Sequence, residues 1–130
     1  MTPEKLVLTP YRKALASLEV ALAEKENEFV RDATIQRFEY TYELAWKMMK
    51  RHLKWAGNDQ VDSLSKRDLF REAARTGLIA DAELWFDYNQ ARNLTSHTYE
   101  PKTADEVYEA ARKFVSDARA LLAQLEKHHG

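Results

Sequence analysis

The sequence predicts an all-α fold, an up-and-down bundle of four main helices plus one short helix. Three Gly and three Pro in 130 residues are too few for a loop-rich β fold. Apolar residues make up 45% of the chain and charged residues 32%, as in soluble globular proteins. The apolar residues recur at the period of an amphipathic helix over long stretches. Because the length suits one domain, we expect residues 1–130 to form a single helical bundle.

A polar turn separates the first two helices. Apolar spacing predicts a helix over residues 9–25, with Pro10 in its first turn, where the missing N–H does no harm. The polar run at 26–28 is the predicted turn. The second helix is predicted over residues 30–56, and Gly57 is well placed to cap its end.

This second helix carries two apolar stripes. One stripe is expected to face the core and contains Ile35, Phe38, Tyr42, Ala45, Trp46, Met49 and Leu53. The second stripe lies on the opposite side and contains Tyr40, Leu44, Met48 and Trp55. A bundle helix needs only one apolar face, so we expect the second stripe to meet another copy of the chain in a homodimer. The alternative is that a neighbouring helix of the same chain covers it.

A polar loop over residues 58–65 leads to a short third helix. Ser65 is placed to cap this helix at Lys66–Arg75, and Gly77 is placed to stop it. These signals are local, so they predict the bounds of the helix without any tertiary information.

The fourth helix is predicted from about residue 81 until Pro101 ends it. It is expected to present Leu84, Trp85, Tyr88 and Ala91 to the core. Thr103 and Glu106 have the spacing of a capping box, which predicts that the last helix begins there. We expect the terminal residues 127–130 to be frayed.

Composition limits the class of protein. The absence of Cys excludes disulfides and thiolate metal sites. The N-terminal run MTPEKLVLTP lacks the apolar core of a signal peptide, and no apolar run is long enough to span a bilayer. We therefore expect a cytoplasmic protein without a membrane partner. With a net charge of -1, any contact with RNA requires a local basic patch.

The stretch 88–100, YNQARNLTSHTYE, contains the candidate functional residues. Arg92 and Asn93 are followed by His97 and, two residues later, by Tyr99. Arg holds phosphate oxygens in pairs and His moves protons near neutral pH, so these residue types fit phosphate chemistry. A match to the Arg-to-His spacing alone is expected about once by chance in such a chain. A chance match to the whole motif, which also requires the Asn and the Tyr, is far less frequent.

Helix geometry constrains how Arg92 and His97 meet. On an ideal helix they lie about 140° apart, so they do not face the same way. We expect the helix to loosen between Thr95 and Thr98, because such hydroxyls compete for backbone hydrogen bonds. The alternatives are that the Arg side chain curls round or that a dimer partner supplies one of the two residues.

Ordinary structural roles stay open for the same residues. Arg92 could pair with Asp87 or Glu100, and His97 could sit at a helix end because the dipole favours it there. A plain helical interaction module would need neither residue for chemistry.

Other polar groups are interpreted as structural. Glu39 and Glu43 lie four residues apart on a charged helix face, which is typical of a solvated pair rather than a catalytic one. His128 and His129 fall in the predicted frayed tail, so we assign them no metal. The prediction is a protein with no metal and no cofactor.

Three runs carry a family resemblance: IQRFEYTYELAWK at 35–47, GLI at 77–79 and ARNLTSHTYE at 91–100. Together they resemble the HepT-like branch of the HEPN superfamily, also called the nucleotidyltransferase substrate-binding protein family. The resemblance covers most of the chain, and the RNxxxHxY motif is its most specific part. It implies a four-helix-bundle homodimer paired with a separate minimal nucleotidyltransferase, as a toxin with its antitoxin.

The resemblance also implies roles for single residues. In HEPN ribonucleases the Arg and His of the motif form a metal-independent site that cleaves RNA, which here implies Arg92 and His97, supported by Asn93. Tyr99 matches the position that the partner modifies with AMP. The leading hypothesis is therefore a metal-independent endoribonuclease toxin with an RNA substrate. The alternative is a non-catalytic substrate-binding subunit of a nucleotidyltransferase.

Overall fold

The computed structural model describes residues 3–130, and within that range it contains five α-helices and no strand. The helices are α1 (Thr9–Ala23), α2 (Glu28–Trp55), α3 (Lys66–Arg75), α4 (Ala82–Asn93) and α5 (Pro101–His129). Two short 3-10 turns lie at Val61–Ser63 and Leu94–His97. The long helices α2 and α5 pack together, with α1 against both of them and α4 against both as well. The predicted bundle of four main helices and one short one is confirmed.

Aromatic side chains fill the centre of the bundle. The Phe38 and Phe114 rings meet edge to face, with centroids 5.2 Å apart. Trp85 packs edge-on against both Phe114 and Tyr88, each at 5.5 Å. Such pairs add about 1 kcal/mol each beyond the apolar area that they bury. This rigid cluster fixes α4, the helix that leads into the candidate site, against α2 and α5.

Four helix ends behave as their residue types predict. The Asn27 side chain caps α2 by accepting a hydrogen bond from the Val30 amide at 2.9 Å. Ser65 caps α3 by accepting from the Asp68 amide at 3.1 Å. Gly57 has φ 103° and Gly77 has φ 82°, a conformation that side-chain-bearing residues rarely adopt. Both glycines therefore end their helices as predicted.

The predicted start of the last helix is wrong. α5 begins at Pro101, and Thr103 lies inside its first turn, so the capping box does not form. Pro at the first helical position loses no hydrogen bond, since that N–H has no partner within a helix. The predicted core position of Leu84 is also wrong, because its side chain is 40% exposed.

The predicted fraying of the C-terminus is wrong as well. α5 continues to His129, whose ring is buried. The Leu6 amide donates to His129 Nδ1 at 3.1 Å, and His129 Nε2 lies 2.9 Å from His52 Nδ1. These long-range contacts hold the last turn in place.

The second stripe of α2 is covered in part by the same chain, as the alternative from sequence allowed, while Tyr40 stays 39% exposed. Met48 is only 4% exposed and Leu44 packs partly against the core. The Tyr40 hydroxyl lies 2.7 Å from the Ser17 hydroxyl of α1. Trp55 donates to the Pro3 carbonyl at 3.3 Å. Homodimerisation thus stays a prediction from the resemblance, without support from this stripe.

Candidate functional site

The RNxxxHxY segment leaves the α-helix in its middle. α4 ends at Asn93, and Leu94–His97 form a 3-10 turn. The Thr95 hydroxyl donates to the Arg92 carbonyl at 2.8 Å, and the Thr98 hydroxyl donates to the Thr95 carbonyl at 3.2 Å. These side chains take the carbonyls that a continuing α-helix would use. The predicted loosening between Thr95 and Thr98 is confirmed.

Arg92 points from α4 toward α2. Its Nε donates to Glu43 Oε1 at 3.0 Å, and its Nη2 lies 3.8 Å from Glu39 Oε1. The guanidinium pairs with α2 and not with Asp87 or Glu100, which were the partners considered from sequence. The interpretation of Glu43 as a solvated carboxylate is therefore wrong, whereas the Glu39 side chain stays 43% exposed.

Glu43 connects Arg92 to the indole of Trp46. Its second carboxylate oxygen accepts a hydrogen bond from Trp46 Nε1 at 3.1 Å. A carboxylate held by two donors is fixed in orientation, and it in turn fixes the guanidinium. Arg92 is 31% exposed in this arrangement, so the charged group stays accessible at the surface while its direction is set.

Tyr42 forms a second link between α2 and α4. Its hydroxyl donates to Asn89 Oδ1 at 2.7 Å. Burial, followed by the nearby negative charge of Glu43, raises the pKa of Tyr42 well above its ordinary value. The phenol therefore stays protonated and acts as a structural donor beneath the site.

His97 and Tyr99 lie at the surface. His97 is exposed at the end of the 3-10 turn, and Tyr99 is 77% exposed. Their rings meet edge to face with centroids 6.3 Å apart. Within residues 3–130, no hydrogen bond holds the His97 ring. The imidazole is thus accessible to solvent and to a bound ligand.

Tyr99 and Asn93 line two different clefts. The cleft beside Tyr99 has a volume of about 380 Å³ and is shared with Thr95 and Glu39. Asn93 lies in a cleft of about 460 Å³ next to Phe86. The structure therefore brings His97 and Tyr99 together at one surface, whereas Asn93 lines a cleft on the side of α4 that faces α3.

The sequence of residues 6–127 matches the family described as nucleotidyltransferase substrate binding protein like. This match covers nearly the whole length of the bundle and includes every candidate residue. The chain belongs to this family.

Proteins from other organisms are similar to this chain in sequence and in fold. A Haemophilus influenzae protein named as a probable ribonuclease HepT is 41% identical over 97 residues, or 73% of this chain. That alignment spans 66% of the relative's own length. A solved Haemophilus influenzae structure, described as the fold of a substrate-binding domain of a nucleotidyltransferase, superposes with a TM-score of 0.87 at 34% identity. It covers 92% of this chain and 99% of the other.

A Thermus thermophilus crystal structure has a similar fold, with a TM-score of 0.77 at 33% identity. It covers 88% of this chain and 98% of the other. No helix in the described residues is both long and apolar enough to cross a membrane. Residues 3–130 also hold no group of three or more His, Asp or Glu side chains placed to bind a metal ion.

Sequence reasoning missed Glu43 as part of this family member's site. Glu43 lies in the run EYTYELAWK, four residues after Glu39 and three before Trp46. That spacing places all three on neighbouring positions of one helix face, which was visible in the sequence. The missing information was that α4 would bring Arg92, 49 residues later, against this face.

Proposed function

We propose that this chain is a HepT-like toxin, a metal-independent endoribonuclease that a cognate minimal nucleotidyltransferase neutralises. The observation that carries the proposal is that Arg92, near the end of α4, and His97, at the end of the 3-10 turn that follows, both reach the surface. Arg92 is held in direction by Glu43 yet accessible, and His97 is exposed five residues later. The name of the Haemophilus influenzae relative, a probable ribonuclease HepT, supports the same reaction class.

RNA carries its own nucleophile, the 2′-hydroxyl, so cleavage needs proton transfer and charge stabilisation. His97 takes the 2′-hydroxyl proton as the 2′ oxygen forms a bond to phosphorus. The bond from phosphorus to the 5′ oxygen breaks, and that oxygen must gain a proton. Arg92 stabilises the extra negative charge on the phosphorus oxygens. The products are a 2′,3′-cyclic phosphate and a 5′-hydroxyl end.

A homodimer would supply the second proton-transfer group. Each chain offers one His in the motif, whereas the reaction needs both a base and an acid. If a two-fold axis passes near the 3-10 turn, two copies of His97 share one cleft. Sedimentation at increasing concentration tests this step, and a monomer under conditions of full activity would contradict it.

Tyr99 is the proposed point of control by the nucleotidyltransferase. Its hydroxyl attacks the α-phosphorus of ATP, loses its proton and releases pyrophosphate, which leaves AMP on the ring. The 77% exposure of Tyr99 makes it reachable by another enzyme, and its ring contacts that of His97. An added phosphate beside His97 would exclude the RNA phosphate by charge and by volume.

The deciding experiment incubates the purified protein with total RNA in excess EDTA, beside an Arg92→Ala, His97→Ala double variant. We expect the wild type to cleave and the double variant to leave the RNA intact. An Arg112→Ala, Lys113→Ala variant, altered at two exposed positions of α5, serves as the control for a general loss of positive charge. Equal cleavage by wild type and the Arg92 and His97 double variant would contradict the assignment of the site.

The second candidate function is a non-catalytic substrate-binding subunit of a nucleotidyltransferase. The description of the Haemophilus influenzae structure as a substrate-binding domain favours it. It predicts that the pure protein leaves RNA intact yet forms a stable complex with a nucleotidyltransferase encoded beside it. Intact mass measured after incubation with that enzyme and ATP then shows whether Tyr99 or a separate substrate accepts the nucleotide.

A further inference from the structure

A concentration of positive charge covers the C-terminal half of α2 and the start of α3. We call it the basic surface, and it consists of Lys47, Lys50, Arg51, Lys54 and Lys66. In the cleft that the α2 residues line, the single carboxylate among the described residues is Asp62, which lies 2.7 Å from Lys54 and 3.7 Å from Lys50. Such an excess is unexpected in a chain whose net charge is -1.

The cations of this surface are regularly placed. Lys47, Lys50 or Arg51, and Lys54 recur every three or four residues, so they form a row along one side of α2. Lys47 and Arg51 are exposed, and neither forms an ion pair in the part of the chain that the structure describes. A regular row of cations that shares a single carboxylate, Asp62, matches a polymer with one negative charge per unit better than it matches the irregular carboxylates of a folded protein.

The basic surface adjoins the candidate site through Trp46. Lys66 Nζ lies 4.7 Å from the centroid of the Trp46 ring, and Lys47 Nζ lies 5.8 Å from it. The indole N–H of Trp46 donates to Glu43, and the other oxygen of Glu43 accepts from Arg92. A strand lying on the cations would therefore run directly toward the Arg92 guanidinium.

We propose that the basic surface binds the phosphate backbone of a single-stranded RNA and leads the strand to Arg92. The proposal rests on the proposed ribonuclease function for its choice of ligand. It adds the location of the substrate-binding surface, which the RNxxxHxY motif does not indicate. Contacts to phosphates position a strand without reading its sequence, so this surface contributes affinity and not sequence preference.

The test measures binding rather than cleavage, so that it is independent of the catalytic assignment. Full-length His97→Ala protein, which is expected to leave RNA intact, is titrated into a labelled single-stranded RNA of about 12 nucleotides. Fluorescence anisotropy is recorded between about 50 mM and about 200 mM salt. The variant adds Lys47→Gln and Arg51→Gln, and the control adds Lys13→Gln and Lys25→Gln, which remove the same charge from exposed positions elsewhere.

We expect the Lys47 and Arg51 variant to bind about tenfold more weakly at low salt, with a salt slope smaller by about 1.4 for two lost contacts. The Lys13 and Lys25 control is expected to bind as the parent does. Equal binding by all three proteins, equal loss in variant and control, or no RNA binding by the parent would each overturn the proposal. The proposal would also be overturned if the Lys47 and Arg51 variant lost binding to poly-L-glutamate but kept its binding to RNA. The surface would then fit an acidic protein.

Failure of the proposed function gives a different pattern. If the wild type leaves RNA intact while the Lys47 and Arg51 variant loses RNA affinity, the basic surface stands and the ribonuclease assignment falls. If the wild type cleaves RNA and the Lys47 and Arg51 variant binds RNA normally, the ribonuclease assignment stands and the proposal for the basic surface falls.

Discussion

His97 lies exposed at the end of a 3-10 turn, whereas His52 and His129 lie buried where the ends of α2 and α5 meet. The ring of His97 contacts only Tyr99 among the described aromatic rings, at 6.3 Å. His52 stacks on Trp55 with centroids 5.5 Å apart and an interplanar angle of 29°. Histidine thus occupies both a solvent-facing and a buried position in the same bundle.

Hydrogen bonds fix the tautomers of the buried pair. Because the Leu6 amide donates to His129 Nδ1, that nitrogen carries no proton. Neutral His129 therefore holds its proton on Nε2 and donates it to His52 Nδ1. Burial, followed by the nearby His128 and His129, lowers the pKa of His52 to about 4. Burial and then His128 also lower the pKa of His129.

The difference shows that the surroundings, and not the residue type, decide how accessible each imidazole is. The buried pair is locked neutral and ties the N-terminal segment to both helix ends. The ring of the exposed His97 has no hydrogen-bond partner among the described residues, so a ligand can reach it. The following changes test this division.

The largest expected effect is the loss of RNA cleavage in His97→Ala. Removing the proton-transfer group is expected to lower the rate by about 100-fold or more, while thermal unfolding stays as in wild type because the ring is exposed. Cleavage assays and circular dichroism on the same preparation check both parts. Undiminished cleavage would sink the assignment of His97.

The opposite result is expected for His129→Ala. The Leu6 amide and His52 Nδ1 each lose a partner in a buried place, so the free energy of unfolding is expected to fall by about 2 kcal/mol. Cleavage well below the melting temperature should be unchanged. Urea unfolding is the measurement, and His128→Ala is the matched control, because that side chain is exposed. Equal destabilisation by both substitutions would contradict the role of His129.

The buried pair also predicts a pH dependence of stability. The folded pKa of His52 lies below its ordinary value of 6.5, so between these values the unfolded chain binds more protons. The contribution of neutral His52 to the free energy of unfolding is therefore at its highest above about pH 6.5, and it decreases as the pH falls toward 4. Between about pH 7 and about pH 5 we expect a loss of about 1 to 2 kcal/mol in urea unfolding. His52→Gln should flatten the profile, and a wild-type profile that is already flat would speak against this account.

The smallest expected effect concerns Glu43, which orients Arg92 in the motif that also contains the exposed His97. Glu43→Gln keeps the shape of the side chain but removes its negative charge. In the wild type the two carboxylate oxygens accept hydrogen bonds from Arg92 and from Trp46. We expect kcat to fall about tenfold with KM little changed, because the guanidinium is misplaced more than it is lost. Glu39→Gln is the control, since Glu39 lies farther from Arg92, at 3.8 Å. A rise in KM alone would instead place Glu43 in substrate binding.

Local signals in the sequence predicted most of the fold. Gly57 and Gly77 end their helices as expected, and Ser65 caps α3 at the predicted residue. The loosened turn after Arg92 followed from its neighbouring hydroxyl residues, Thr95 and Thr98. Each of these features depends on interactions within about five residues, which a sequence displays directly. The start of α5 was the exception, because Pro101 and the Thr103 capping box were two competing local signals.

The sequence by itself determined the helical bundle, its family and the four motif residues Arg92, Asn93, His97 and Tyr99. Only the tertiary structure decided what those residues meet. Arg92 hydrogen-bonds to Glu43, which is 49 residues away in the sequence, and the His52 ring contacts the ring of His129, which is 77 residues away. The contact of Tyr40 with α1 was equally invisible, since periodicity shows that a face is apolar but not which element packs on it. Contacts between distant residues depend on how the helices pack, and that is set by the whole core at once.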